Sequence, residues 1–231
     1  MFRQNPDTTG EVKYMQIIVI NGSPRTNGLT AAVLHRIAAR LEQNGAEVRF
    51  IDLAKLEIKP CRGCCTCYQT GSCIYQDDAE ALSREIAAAD GIVIGTPTYV
   101  SNVSGLLKQF IDRGHFVIEQ LLHGKYAVSV VTGENYGRRD ASAVLGRLFS
   151  YSGAYISGRL VINAPFNSLQ YDGAGAVAAA DRLAADIYRK RTYPLQYLKH
   201  QVIFRAGIRP FVSRKGECYR GVTDKWEHAG I

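Results

Sequence analysis

Short runs of β-branched residues alternate with longer segments of helical periodicity from Gln16 onward. In the first helical segment, Val33, Ile37 and Leu41 recur at the spacing that places them on one face of a helix. Such alternation is typical of a parallel sheet that is covered by helices on both faces. The pattern therefore predicts a doubly wound α/β domain with a five-stranded parallel sheet.

The predicted elements form five strand–helix units. Strands are expected at residues 16–20, 48–51, 92–95, 127–131 and 159–163. Helices are expected at about residues 30–43, 78–88, 104–113, 140–153 and 174–190, with Asp77 or Asp78 capping the second and Asp140 the fourth. In a doubly wound sheet, ligands bind at the carboxyl ends of the strands where the winding direction reverses. We therefore expect function in the loops after the first, third and fourth strands.

A change of pattern near Tyr193 marks the start of a separate C-terminal segment. Beyond it, apolar residues lie at helical spacing among basic ones, which predicts an appended amphipathic helix. The residues of this stripe are Leu195, Leu198, Val202 and Ala206. We therefore divide the chain into an N-terminal extension (residues 1–14), one α/β domain (residues 15–190) and a basic C-terminal extension (residues 191–231).

The net charge of +7 comes entirely from the C-terminal segment. Residues 189–231 contain 10 Lys and Arg against 3 Asp and Glu, whereas the two kinds of charge balance over residues 1–188. A basic segment interleaved with aromatic residues can bind nucleic acid or an anionic membrane surface. More often, such a segment packs its apolar stripe on the core or on a second protomer and leaves its charges in water. We adopt that interpretation and expect no nucleic-acid partner.

Composition and hydropathy argue against a membrane-spanning protein. Hydrophobic residues make up 46% of the chain and charged residues 21%, as in ordinary globular proteins. No apolar run approaches the roughly 18 residues needed to span a bilayer, and residues 1–14 are too polar for the apolar region of a secretory signal. We therefore expect no membrane span and a cytoplasmic location.

The loop after the first strand, residues 21–30, carries groups that bind anions. It leads from a buried strand into a helix, whose first N–H groups and positive end attract phosphate. Ser23 and Thr30 add hydroxyl groups, Arg25 adds a guanidinium group, and Asn27 and Gly28 supply a permissive backbone. The loop lacks the Lys of a nucleotide-hydrolysing loop and the glycine spacing of a dinucleotide site. A mononucleotide phosphate fits it, and an ordinary capped turn is the alternative.

This loop resembles the first loop of the NADPH-dependent FMN reductase family of flavodoxin-like proteins. The matching residues are Gly22-Ser23-Pro24-Arg25, the Asn27-Gly28 pair and Thr30. The resemblance implies a flavodoxin-like fold for residues 15–190 and bound FMN. Its phosphate would be held by Ser23, Arg25, Asn27, Gly28, Leu29 and Thr30. Leu29 stands where the family often has Asn, so only its backbone N–H group would contribute.

The next two loops resemble the parts of the same family that hold the flavin ring. An isoalloxazine ring needs an apolar face and exposed backbone donors and acceptors along its pyrimidine edge. The matching residues are Pro97, Thr98, Tyr99, Val100 and Asn102 after the third strand, and Thr132 and Gly133 after the fourth. No side chain is expected to act as a catalyst, because the reactive atoms would belong to the flavin.

Five of the six cysteines fall within residues 61–73. In an expected reducing compartment this cluster favours metal ligation or redox chemistry over disulfides. Four thiolates spaced as Cys61, Cys64, Cys67 and Cys73 can hold a [4Fe-4S] cluster, and Cys65 falls out of register. The spacing resembles the motif of the iron-sulfur flavoprotein branch of the same family. A tetrahedral zinc site and unligated thiols lining the flavin pocket stay open as alternatives. We expect this loop near the flavin end of the sheet.

Taken together, these features predict an FMN-dependent oxidoreductase that uses NAD(P)H as co-substrate. Electrons would pass onward, with or without a [4Fe-4S] cluster, to a small-molecule or protein acceptor. The alternatives are an electron carrier without NAD(P)H activity, a cluster-free flavin or quinone reductase, and a zinc-stabilised binding module. The resemblance and the amphipathic C-terminal segment also predict a homodimer or homotetramer.

Overall fold

The parallel sheet contains five strands, in the computed structural model that describes residues 14–231. The strands are Met15–Asn21 (β1), Ala46–Asp52 (β2), Gly91–Pro97 (β3), Tyr126–Gly133 (β4) and Tyr155–Asn163 (β5). Their order is β2-β1-β3-β4-β5 and every neighbouring pair is parallel. This flavodoxin-like order confirms the predicted fold and places the switch point between β1 and β3. The predicted N-terminal extension lies outside the described residues, apart from the exposed Tyr14.

Helices cover both faces of the sheet. One face carries Leu29–Gln43 (α1) and Ala174–Tyr188 (α6), whose apolar residues form one buried cluster with the strands. The other face carries Asp78–Ala88 (α3), Gly105–Arg113 (α4) and Arg138–Tyr151 (α5), which form a second cluster. β3 is buried along its whole length because helices pack on it from both sides.

Two helix starts test the predicted caps. Asp77 accepts a hydrogen bond from the Ala79 N–H group and caps α3, as expected. The predicted Asp140 cap is wrong, because Gly137 precedes α5 in a left-handed conformation (φ 83°) and lets the helix begin at Arg138. Asp140 instead lies in the first turn, where its negative charge interacts favourably with the positive end of the helix dipole.

The C-terminal extension is a chain of helical segments rather than one helix. It comprises Pro194–Ile203 (α7), a π-helical turn Phe204–Ile208, Arg209–Ser213 (α8), a 3-10 turn Gly216–Tyr219 and Arg220–His228 (α9). The predicted apolar stripe is exposed, with Leu195 84% accessible. The buried stripe contains His200, Phe204, Ile208 and Val212. Spacing revealed a helix here, but it did not reveal which face meets the rest of the chain.

The extension packs on the segment that carries the cysteines. That segment contains a short helix that the sequence did not predict, Thr66–Thr70 (α2), and α9 lies against it. The rings of Tyr68 and Tyr219 stack with their centroids 4.7 Å apart, and Trp226 donates its indole N–H to the Ile118 carbonyl group at 3.0 Å. No helix within residues 14–231 is both long and apolar enough to cross a bilayer.

Candidate functional site

The loop between β1 and α1 presents unpaired backbone N–H groups at the start of α1. No described side chain caps this helix, and Gly28 precedes it in an extended conformation. The loop is shaped by its own polar groups: the Ser23 N–H donates to the Asn21 side chain at 3.1 Å, and the Ser23 hydroxyl accepts from the Arg25 N–H at 3.1 Å. An uncapped helix start of this kind can bind a phosphate group.

Gly22 holds this loop close to β3 and to the start of α4. Its N–H group donates to the Gly95 carbonyl oxygen at 2.8 Å, and its own carbonyl oxygen accepts from the Ser104 hydroxyl at 2.5 Å. The same hydroxyl caps α4 by accepting from the Leu107 N–H group at 3.0 Å. A Cβ atom on Gly22 would lie 2.8 Å from the Leu107 Cβ. Only glycine therefore allows the loops after β1 and β3 to meet so closely.

These loops enclose a cleft of about 460 Å³ at the carboxyl ends of the strands. The predicted flavin-binding residues that line it are Arg25, Asn27, Gly28, Leu29, Pro97, Thr98, Tyr99, Val100, Thr132 and Gly133. Within this lining, the Thr98 hydroxyl oxygen is buried and has no hydrogen-bond partner among the described residues. The structure thus brings together predicted residues from all three loops.

Three predicted residues lie outside the lining of the cleft. Ser23 is buried in the turn that its hydroxyl stabilises. The hydroxyl groups of Thr30 and Thr132 are 2.7 Å apart and share a buried hydrogen bond beneath the cleft. Asn102 uses its side-chain oxygen to accept from the Val103 N–H group at 2.8 Å. In this arrangement all three side chains support the loops.

The loop after β5 forms a fourth wall that the sequence analysis missed. Residues 164–169 line the cleft, and so do Ser101, Glu134, Asn135 and Tyr136. Arg25 donates to the Asn167 side-chain oxygen at 2.5 Å, and its guanidinium carbon lies 5.4 Å from the centroid of the Phe166 ring. Glu134 accepts from the Phe166 N–H group at 2.8 Å. Only the topology could have indicated this wall, because β5 is parallel to β4 and therefore ends at the same edge of the sheet.

The cysteines line a separate pocket of about 300 Å³. It contains all four predicted ligands, Cys61, Cys64, Cys67 and Cys73, together with Cys65, whereas the remote Cys218 is not part of it. All six cysteines are free thiols. Hydrogen bonds from the Thr66 hydroxyl and N–H groups lower the pKa of the Cys64 thiol, which favours the thiolate that binds metals.

The cysteines, which the sequence analysis expects near the flavin end of the sheet, line a pocket of their own. It shares no lining residue with the cleft and lies against the last turn of α4, at Ile111–Arg113. That turn is about 13 Å along the helix from Ser104, the residue that caps the start of α4. The chain after β2 runs along α4: Gln109 donates to the Ile58 carbonyl oxygen, and Arg113 donates to that of Lys59 at 2.6 Å.

Arg113 forms the buried floor of this pocket. Its two terminal nitrogens donate to the Asp77 carboxylate, each at 2.8 Å, and its guanidinium group lies 4.9 Å from the centroid of the Tyr75 ring. Burial by itself raises the pKa of Asp77, but hydrogen bonds from Arg113 and from the Lys59 and Ala79 N–H groups, together with the Arg113 charge, hold that pKa below its usual range. The Arg113 Nε has no partner among the described residues, and the guanidinium group also interacts with Cys73.

His115 forms a second buried wall of the pocket. Burial alone lowers its pKa, yet its contacts with Cys67, Glu119 and Glu80 raise the pKa of this histidine to about 11. Its Nδ1 lies 2.7 Å from a Glu119 carboxylate oxygen, and the other oxygen of Glu119 accepts from Lys225 at 2.5 Å. The side of the pocket that contains Arg113 and His115 is therefore polar, with nitrogen donors that are paired with the carboxylates of Asp77, Glu80 and Glu119.

Sequence comparison places these features in a known family. The family model described as NADPH-dependent FMN reductase matches residues 15–167, a range that includes the cysteine segment and ends inside the loop after β5. The chain belongs to this family. Within it, the chain falls in the iron-sulfur flavoprotein branch, since an iron-sulfur flavoprotein of Clostridioides difficile is 34% identical over 224 residues, covering 94% of this chain and all of the relative. The family is one of FMN-dependent oxidoreductases.

One further relative is similar to this chain in sequence, and one solved structure is similar to it in fold. An NADPH azoreductase of Bacillus sp. strain OY1-2 is 32% identical over 130 residues, which cover 55% of this chain and 64% of that enzyme. The apo form of an NADH:FMN oxidoreductase is similar in structure, with a TM-score of 0.57 and 20% identity over 79% of this chain and 94% of that one. The structural likeness supports the flavodoxin-like fold.

Proposed function

We propose that this protein binds FMN in the cleft, accepts electrons from NAD(P)H and passes them to a small-molecule or protein acceptor. The observation that carries the proposal is the convergence of ten predicted residues from three loops on one cleft beside the uncapped start of α1. We further propose that residues 15–190 are the FMN-binding domain and residues 191–231 its extension.

The residues of the cleft fit FMN. Its volume of about 460 Å³ lies within the range of about 300–1,000 Å³ for cofactor sites. The first N–H groups of α1, with Asn27 and Arg25, would hold the phosphate, and the cleft-lining backbone at Thr98 and Gly133 would meet the ring edge. The Thr98 hydroxyl, which has no partner among the described residues, is a further polar group that could form a hydrogen bond with FMN. When bound, FMN supplies hydride and single-electron chemistry.

The cysteine pocket fits an iron-sulfur cluster, and we propose that Cys61, Cys64, Cys67 and Cys73 hold a [4Fe-4S] centre. Four thiols line one pocket, and a buried nitrogen of Arg113 and one of His115, both in residues that line it, have no hydrogen-bond partner among the described residues. Anionic sulfur is a suitable acceptor for such donors. A cluster would supply one-electron transfer. The full-length likeness to an iron-sulfur flavoprotein favours it over zinc.

A second candidate is an electron carrier that has no direct reaction with NAD(P)H. The separation of the cysteine pocket from the cleft favours it, because electrons could enter at the pocket without a nicotinamide reaching the flavin. The likeness to an NADPH azoreductase supports the first candidate instead.

Anaerobic spectroscopy of the reconstituted full chain tests both candidates. We expect bound FMN, iron and sulfide near four atoms each per chain, no zinc, and rapid bleaching of the flavin absorbance on mixing with NADPH or NADH. A chain that stays colourless after FMN addition would overturn the FMN site. Bound FMN that neither nucleotide reduces would favour the carrier, and zinc without iron would overturn the cluster.

We also propose a homodimer or homotetramer located in the cytoplasm. The exposed stripe of Leu195, Leu198 and Val202 on α7 supports self-association, because large apolar patches on a protein surface commonly mark interfaces. The free thiols are consistent with a reducing compartment. Light scattering at micromolar concentration should give a multiple of 25.5 kDa, and a monomeric mass would contradict the oligomer.

A further inference from the structure

The segment that follows α4 places a histidine in an unusual position beside the cysteines. The His115 side chain is only 6% exposed. Its backbone is left-handed (φ 57°), a conformation that is unfavourable for a non-glycine residue. A Cys67 sulfur, a His115 ring nitrogen and a Glu119 carboxylate oxygen all lie within 4.8 Å of one another. The fold therefore holds an imidazole against one proposed cluster ligand at some cost to the backbone.

Acidic side chains hold the imidazole ring from two sides. Nδ1 is 2.7 Å from Glu119, which Lys225 of the extension in turn contacts at 2.5 Å. Nε2 is 3.4 Å from a Glu80 oxygen, but it makes no aligned hydrogen bond and it is buried. A buried polar atom without a partner destabilises the folded chain. One ring nitrogen of His115 lies within 4.8 Å of the Cys67 sulfur, so a negatively charged sulfur at that position would provide an acceptor for an imidazole N–H group.

We propose that His115 is a positioning residue that donates an N–H hydrogen bond to the Cys67 sulfur and thereby raises the reduction potential of the [4Fe-4S] cluster. This inference rests on the cluster under the proposed function. One-electron reduction adds negative charge to the cluster and its sulfur ligands, with no bond broken and no proton transferred. A fixed N–H donor stabilises the reduced form more than the oxidised form.

A separate metal site formed by Cys67, His115 and Glu119 fits the surroundings less well. The Lys225 ammonium group lies 2.5 Å from the Glu119 carboxylate and already neutralises it. A metal cation bound there would face that positive charge at short range. The same contact explains why Glu119 can orient His115 without leaving a buried charge unpaired.

Potentiometric titration of the anaerobically reconstituted full chain tests the proposal. His115→Gln and His115→Met form a matched pair: both side chains are unbranched and similar in length, but only Gln keeps an N–H donor. We expect His115→Met to lower the equilibrium constant for cluster reduction about tenfold, which is 59 mV for a one-electron couple. His115→Gln should keep most of the wild-type value. The flavin potential should not change in either variant, because the cleft is separate.

A second measurement on the wild-type chain covers the case in which the Met variant does not fold. Labelling with 15N-histidine should give a nitrogen hyperfine coupling in the reduced cluster, since His115 alone among the described histidines lines the cysteine pocket. Absence of that coupling, equal potentials in the Met variant and wild type, or stoichiometric zinc at these residues would overturn the proposal. Wild-type protein without iron would overturn the cluster itself, which distinguishes the two failures.

Discussion

The flavin cleft and the cysteine pocket are built in different ways. The cleft forms where parallel strands end, and backbone contacts such as that of Gly22 with Gly95 fix its loops. The cysteine pocket forms from a long connection that leaves the sheet, and the extension packs on the short helix α2 of that connection without lining the pocket. Side-chain contacts hold it together, including those of Arg113 with Asp77 and of Lys225 with Glu119. The cleft thus follows from topology, whereas the pocket depends on particular side chains.

This difference implies that the two sites can be disrupted separately. The cleft needs the sheet and its short loops, and the extension contributes none of the residues that line it. The cysteine pocket includes residues of α2, on which α9 packs, so we expect the pocket to depend on that docking. A change in one site should therefore leave the cofactor of the other in place, and the following variants test this independence.

The largest effect is expected from removing one proposed cluster ligand. Cys67→Ala should abolish iron and sulfide binding, because a missing corner leaves one iron without its thiolate. Cys65→Ala is the matched control: Cys65 lines the same pocket but is out of register, so iron content should stay at the wild-type level. Both variants should keep FMN. Equal loss of iron in the two would contradict the ligand assignment, and metal analysis with flavin quantification distinguishes these results.

The next largest effect concerns the docking of the extension. A Cβ atom on Gly221 would collide with the Gly71 backbone nitrogen and lie 2.7 Å from the Gly71 Cα. Gly221→Ala should therefore push α9 off α2 and lower the free energy of unfolding by about 3 kcal/mol, the upper end of the range for overpacking. Iron content should fall while FMN stays bound. Denaturant unfolding and metal analysis provide the measurements.

Gly207→Ala is the control for that variant. Gly207 lies in the same extension, and a Cβ atom there would meet nothing within 4 Å. We expect unchanged or slightly increased stability, because alanine restricts the unfolded chain. If both alanine variants retained iron equally, the close contact of α9 with α2 would not be needed for the pocket.

A smaller effect is expected from the corresponding glycine of the cleft. Gly22→Ala places a methyl group 2.8 Å from the Leu107 Cβ and 2.9 Å from the Gly95 carbonyl oxygen. Displacement of the loop should weaken FMN binding about tenfold or more, from an overpacking cost of about 1–3 kcal/mol. Gly105→Ala, with no atom within 4 Å of its added methyl group, should bind FMN normally. If both variants retained iron, the two sites would be independent. If Gly22→Ala lost iron together with FMN, that independence would be refuted.

The contrast also explains what the sequence could predict. The cleft could be predicted because the strand order and three loop motifs together place its residues at one edge of the sheet. The loop at 164–169 carries no motif, so only topology could have indicated it. Cysteine spacing indicated a ligand set but not its position, because the path after β2 depends on contacts such as that of Arg113 with Lys59. For the extension, periodicity indicated the stripe that contains Leu195, which is exposed, whereas packing buries the stripe that contains Phe204.

The smallest effect is expected at the missed wall of the cleft. The Phe166 ring is 74% exposed and lies against the Arg25 guanidinium group, which Asn167 also holds. An exposed cation–π contact contributes about 0.5–1 kcal/mol, so Phe166→Ala should weaken FMN binding about two- to fivefold by releasing Arg25 from its position. Phe166→Tyr keeps the aromatic face and should bind FMN as wild type does. Fluorescence titration with FMN measures both. A tenfold loss in Phe166→Ala would mean that the ring contacts the flavin directly, and the fourth wall would then belong to the binding site itself rather than to its support.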